Sequence, residues 1–147
     1  LEDERTLNAN KCISYWTIEA KSAAPEPIRE KFGDWFFGCD ICQTVCPWNE
    51  KAFGRDVMRN LSQPLRAISD DLVDALKWIL RASRKELARH FKNSPLSRAR
   101  PLGLKRNALT VIANLKITEL QSEVKACLEF SDLKELAAWT LEKIGAS

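Results

Sequence analysis

The sequence predicts a mainly α-helical fold in two parts that meet near residue 60, on three observations. Residues 1–60 hold short, broken elements around one cysteine run, Gly38-Cys39-Asp-Ile-Cys42-Gln-Thr-Val-Cys46-Pro47. Residues 61–147 hold five stretches with apolar residues at helical spacing, each bounded by a cap or a breaker. Charge is divided as well: residues 77–106 carry ten Lys/Arg against Glu86 alone, a local +9 in a chain of net charge +3.

The elements follow in order. Residues 11–19, Lys-Cys12-Ile-Ser14-Tyr-Trp16-Thr-Ile-Glu, mix aromatic and β-branched side chains with no clean period, so a strand and a short helix both fit. Pro25 and Pro27 break the chain, and Pro27 suits the first turn of a short helix over 28–32 that Gly33 ends. Trp35-Phe36-Phe37 leads into the cysteine run, where large rings would shield a buried centre. A charged loop continues to about residue 61. Asp70 and Asp71 can cap a helix carrying Leu72, Val73, Leu76, Ile79 and Leu80 on one face. Ser83 with Glu86 three residues on is a capping box for a second helix. Asn93-Ser94-Pro95 interrupts; further helices are expected over about 104–115, 118–130 and from Ser131, with Gly145 as a stop. The last two form a short helical hairpin of the kind that stacks in repeats.

Composition narrows the function classes. At 147 residues, 45% hydrophobic and 29% charged, the chain reads as a soluble globular protein able to bury a core. No stretch of about 18 apolar residues is present, so no membrane-spanning helix is expected. Leu1-Glu-Asp-Glu-Arg5 has neither a start methionine nor a signal-peptide core and reads as the interior of a longer product. Five cysteines are an odd number, with four in the first 46 residues, which favours metal or cluster binding over a disulfide framework.

Cysteines at x2 and x3 spacing closed by proline are the end of the ligand run of ferredoxin-type [4Fe–4S] proteins. A complete run would place another cysteine three residues before Cys39, and that position is Phe36. The site must therefore recruit Cys12. Either Cys12, Cys39, Cys42 and Cys46 converge on one cluster, or Cys46 crosses to a second one. A zinc knot remains the alternative, although zinc sites favour paired Cys-x2–4-Cys units or histidine and the chain has one histidine. Cys127, on the inward face of a predicted helix, is expected to be plain core. The basic segment is the footprint expected of a polyanion-binding surface.

Taken together, the cysteine run, Cys12-Ile-Ser-Tyr-Trp-Thr-Ile-Glu19 upstream and Ser94-Pro-Leu-Ser-Arg-Ala-Arg-Pro-Leu-Gly-Leu-Lys-Arg-Asn107 downstream resemble the C-terminal part of the epoxyqueuosine reductases. The resemblance spans essentially the whole chain and implies a partial ferredoxin-like region over 1–60 and an α-helical HEAT-like domain over 61–147. It implies a cobalamin- and cluster-dependent enzyme that reduces epoxyqueuosine to queuosine in tRNA. By the same resemblance, Cys12, Cys39 and Cys42 would ligate one [4Fe–4S] cluster and Cys46 a second. The remaining ligands would lie in a Cys-x2-Cys-x2-Cys-x3-Cys-Pro run before Leu1, alongside a cobalamin-binding domain with the catalytic acid. Ser14, Cys39 and Asp40 are the implied contacts to the corrin. Lys92, Arg98, Arg100, Lys105 and Arg106 are the candidate contacts to the anticodon stem-loop. The resemblance further implies a cytoplasmic monomer served by an electron donor such as ferredoxin or flavodoxin. Two rival readings stay open: a generic electron-transfer ferredoxin module, and a zinc-stabilised nucleic-acid-binding module.

Overall fold

A computed structural model describes residues 6, 8–54 and 69–145. Among them every regular element is helical. The chain forms a wide π-type turn over Tyr15–Glu19, then α1 (Glu26–Arg29) and a 3-10 turn over Glu30–Phe32. Two short helices carry the cysteine run, α2 (Ile41–Thr44) and α3 (Pro47–Phe53). The longer helices are α4 (Asp70–Arg81), α5 (Arg84–His90), α6 (Arg100–Leu115), α7 (Gln121–Ala126) and α8 (Lys134–Lys143). None of the described helices is long and apolar enough to cross a membrane.

Local chemistry accounts for most boundaries. Residues 13–19 resolve as helix because Thr17 is buried and its hydroxyl donates back to the Ile13 carbonyl at 3.0 Å, while Trp16 Nε1 reaches the Asn10 carbonyl at 2.8 Å. The cap of α4 is Ser69, whose hydroxyl accepts from the Leu72 N–H at 3.2 Å. Asp70 and Asp71, read from sequence as capping the helix and complementing its dipole, occupy the first turn, where their negative charge does complement the dipole. At α5 the capping box forms in both directions: Glu86 N–H donates to Ser83 Oγ at 3.2 Å, and Ser83 N–H donates to Glu86 Oε2 at 2.8 Å. That arrangement holds the Glu86 carboxyl below its ordinary pKa. Replacing Ser83 with alanine is expected to lower stability by about 1 kcal/mol in urea unfolding. Helix α6 starts four residues earlier than the predicted 104, because Pro101 fits a first turn, where its missing N–H forfeits no intrahelical bond. The stretch predicted as one helix over 118–130 is divided into a 3-10 turn, α7 and a second 3-10 turn. Helix α8 begins at Lys134 rather than Ser131, since 131–133 is a turn.

The core is built around α6. Its Leu104, Ala108, Leu109, Val111 and Ile112 pack with Leu76, Ile79 and Leu80 of α4, Leu87 of α5, Val124 of α7, and Leu136, Ala137 and Leu141 of α8. Cys127 is 2% exposed within this cluster, and burial raises its thiol pKa, as suits a small apolar residue. Helix α6 is enclosed on every side: all residues from Gly103 to Ala113 are buried, including Lys105, Arg106, Asn107 and Thr110. Of the polar members of that row, Arg106 and Asn107 meet the N-terminal segment, whereas Lys105 reaches α4.

Candidate metal centre and basic surface

Cys12 follows a single 3-10 turn over Ala9–Lys11 and donates its N–H to the Ala9 carbonyl at 2.9 Å. The helical residues after it then hold the start of the cysteine run. Thr17 Oγ1 accepts the Gly38 N–H at 3.0 Å, and Ser14 Oγ donates to the Cys39 carbonyl at 3.1 Å. Gly38 has φ +74°, and this left-handed turn calls for glycine. These bonds fix the backbone at Gly38 and Cys39, and α2 carries Cys42.

The electrostatics report that grouping. Burial pushes the Cys39 thiol above its ordinary pKa, the Ile41 backbone N–H opposes this, and the neighbouring Cys12, Cys42 and Asp40 add to the rise. Cys46 is not among the groups acting on Cys39; it stands at the start of α3, ahead of Pro47. Asn49 Nδ2 donates to the Gln43 carbonyl at 3.0 Å and to its side-chain oxygen at 2.8 Å, tying α3 to α2. Among the described residues no three Cys, His, Asp or Glu side chains form a group suited to a metal ion. A cubane cluster is wider than an ion, so its thiolates stand farther apart than the ligands of a zinc site with Zn–S bonds of about 2.3 Å.

Of the residues read as corrin contacts, Ser14 and Cys39 are half-buried and joined to each other, while Asp40 is exposed at the head of α2. Phe36 and Phe37 pack against the helical core. Ile41, Val45, Trp48 and Phe53, all exposed, leave an apolar surface on α2 and α3.

The basic residues separate into two groups. Lys92, Arg98 and Arg100 are exposed, and Arg98 pairs with Glu19 beside the cysteine site. Lys105 and Arg106, grouped with them in the sequence, lie inside the fold rather than on this exposed face. They are 8% and 7% exposed, with their head groups on backbone carbonyls. Lys105 Nζ donates to Leu80 O at 2.6 Å, in the last turn of α4. Arg106 donates to the carbonyls of Ala20, at 2.6 Å, and Lys21. Sequence reasoning also passed over Asn107 and Asn114. Asn107 Nδ2 donates to Thr17 O at 2.7 Å, and Asn114 Nδ2 to Arg29 O at 2.9 Å and Gly33 O at 3.2 Å. One side of α6 thus presents donors to carbonyls that the short N-terminal turns cannot satisfy themselves. Trp139 and Lys143 of α8 add bonds to Glu26 at 3.0 Å and Glu30 at 2.6 Å. The only sequence signal for this role is the helical spacing of Arg106, Asn107 and Asn114.

A small cleft of about 220 Å³ opens between residues 18–21 and Arg98–Arg106, with Arg98 and Arg100 on its wall. It brings the exposed arginines to the turn that holds the cysteine run.

Comparison with known proteins places these features in context. The family described as a 4Fe-4S double cluster binding domain matches residues 1–49. The epoxyqueuosine reductase of Pseudomonas aeruginosa is 34% identical over 143 residues, covering 95% of this chain and 38% of that protein. That of Bacillus subtilis is 31% identical over 142 residues, covering 95% of this chain and 35% of that protein. A crystal structure of epoxyqueuosine reductase with an epoxyqueuosine-modified tyrosine-tRNA stem loop aligns with a TM-score of 0.71 at 30% identity, over 95% of this chain and 36% of that one. A structure of the Bacillus subtilis enzyme aligns with a TM-score of 0.69 at 32% identity, over 95% of this chain and 37% of that one. The chain therefore spans less than two-fifths of the length of these relatives.

Proposed function

We infer that this chain is the cluster-ligating and helical part of an epoxyqueuosine reductase, the family whose sequence and fold it shares over 95% of its length. The cysteine run Cys39–Cys42–Cys46–Pro47, inside the stretch that matches a 4Fe-4S double cluster binding domain, carries the reading. These three would hold one [4Fe–4S] cluster and Cys46 would contribute to a second, the other ligands coming from sequence that precedes this chain in the whole enzyme. When bound, the clusters supply single electrons and a cobalamin supplies the reducing centre for the epoxide.

The chain's own residues have three tasks. Ser14 and Thr17 fix the backbone at Gly38–Cys39, and so fix where the thiolates point. Ser14, Cys39 and Asp40 offer the surface against which a corrin would lie. Lys92, Arg98 and Arg100 hold the tRNA stem-loop by its phosphates, which positions the nucleotide without reading sequence. The reading keeps a cluster region over 1–60 and a helical domain over 61–147, a boundary that lies outside the described residues, with α6 bonded to the N-terminal turns. An electron carrier such as ferredoxin or flavodoxin would reduce the clusters from outside.

Two measurements test the reading. After anaerobic reconstitution, the chain should bind iron and sulfide and no stoichiometric zinc; zinc without iron overturns the redox assignment. Three phosphate contacts should make log K for an RNA stem-loop fall with log[salt] at a slope of about −2 to −3. Arg100→Ala should reduce that slope by about 1, as loss of one phosphate contact requires. Salt-independent binding would sink the RNA role.

A further inference from the structure

One cleft of the helical part plays no part in the cysteine site. It has a volume of about 690 Å³, within the range of small-molecule sites, and opens between α4, α5, α6 and α7. Leu80, Leu102, Ala126, Phe130 and Leu133 give it an apolar lining. Lys105 lies in its wall, 8% exposed, and among the described residues its hydrogen-bond partner is Leu80 O alone and no carboxylate pairs with it. An ammonium has three N–H donors, so a largely buried cation is left with unused donors at an apolar cleft. Burial pushes its pKa down, with Cys127 opposing and Arg84 adding to the effect. Glu123, the one acid on the wall, is already held by Arg81 at 2.6 Å and Ser122 at 2.7 Å. The Phe130 side chain is half exposed, with its ring centroid 6.0 Å from Lys105 Nζ. Arg81 and Arg84, each nearly two-thirds exposed, stand at the mouth. Leu102 lines both this cleft and the smaller one that carries Arg98 and Arg100.

We propose that this cleft takes one unstacked base of the bound RNA, with Phe130 stacking on its face and Lys105 donating to a ring nitrogen or carbonyl acceptor. The chemistry selects that occupant. A flat apolar group with hydrogen-bond acceptors and a trailing phosphate matches an apolar cleft, an unused buried donor and arginines at the rim. The shared Leu102 wall lets one strand run from phosphates at Arg98 and Arg100 to a base in the cleft. The proposal rests on the RNA-binding reading above.

The test measures binding of fluorescent anticodon stem-loop hairpins to the whole chain by anisotropy. One set of hairpins carries a single abasic nucleotide at each loop position in turn. Phe130→Ala should weaken binding of the intact hairpin about tenfold while leaving the salt slope unchanged. One abasic position should cost the wild type the same factor and cost Phe130→Ala nothing further. Lys105→Met, which keeps the side chain's bulk, should weaken binding severalfold, again with an unchanged slope. Melting curves of both variants establish that they are folded. If the wild type binds with the expected salt slope but neither variant nor any abasic position matters, the cleft assignment is wrong and RNA binding stands. A slope reduced by about 1 in Lys105→Met would make it a phosphate contact and overturn the base assignment. If the wild type does not bind the hairpin, the RNA reading fails, and the cleft assignment with it.

Discussion

Cys39→Ala is expected to abolish assembly of the cluster that Cys39 shares with Cys12 and Cys42. Cys39 is the member of the trio whose thiol senses both of the others. Its backbone is clamped at the Cys39 carbonyl by Ser14 and one residue earlier at Gly38 by Thr17. Alanine keeps those clamps and removes only the thiolate, so the folded helical half should be unchanged by circular dichroism while iron content and visible absorbance collapse. Cys127→Ala is the matched control. Its thiol lies in the apolar core at 2% exposure, so iron binding should be retained, at the cost of some packing. Retention of full iron content by Cys39→Ala would overturn the ligand assignment. On the same assignment this chain alone holds at most one cluster, and about eight irons per chain would refute it.

The second large effect is on stability. Arg106→Leu should destabilise the chain by about 3 kcal/mol in urea unfolding, because it strips the charged donor from the Ala20 and Lys21 carbonyls and leaves both without that partner. The loss should be directional. The N-terminal segment over 13–33 should become susceptible to proteolysis before the helical core does, since Arg106, Asn107 and Asn114 hold it there. Arg98→Ala is the contrast: its partner Glu19 is half exposed, and an exposed pair contributes between about 0 and 1 kcal/mol. Equal losses from the two substitutions would show that Arg106 has no special part in joining the two regions.

The helical parts of the fold were open to sequence reasoning wherever the determinants are local. The capping box at Ser83 and Glu86 needs residues three apart and nothing else, and it forms as read. Leu120, Val124 and Cys127 show the period of a buried helix face, and all three are buried. Where neighbouring residues offer near-equivalent chemistry, the reading slipped: Ser69 caps α4 in place of the adjacent aspartates. Residues 11–19 were ambiguous because their helical turn depends on Thr17 being buried under other elements.

By itself the sequence determined the cysteine spacing, the likeness to epoxyqueuosine reductases and the concentration of positive charge over 77–106. Only the tertiary structure decided which of those charges face outward. Within Lys105-Arg106-Asn107, helical geometry permits either a solvated basic edge or a buried row of donors. The outcome depends on carbonyls more than eighty residues away in sequence, at Thr17, Ala20 and Lys21, and for Lys105 on one at Leu80. A charged side chain goes inside when its donors meet partners there, and no local pattern reveals that those partners will arrive.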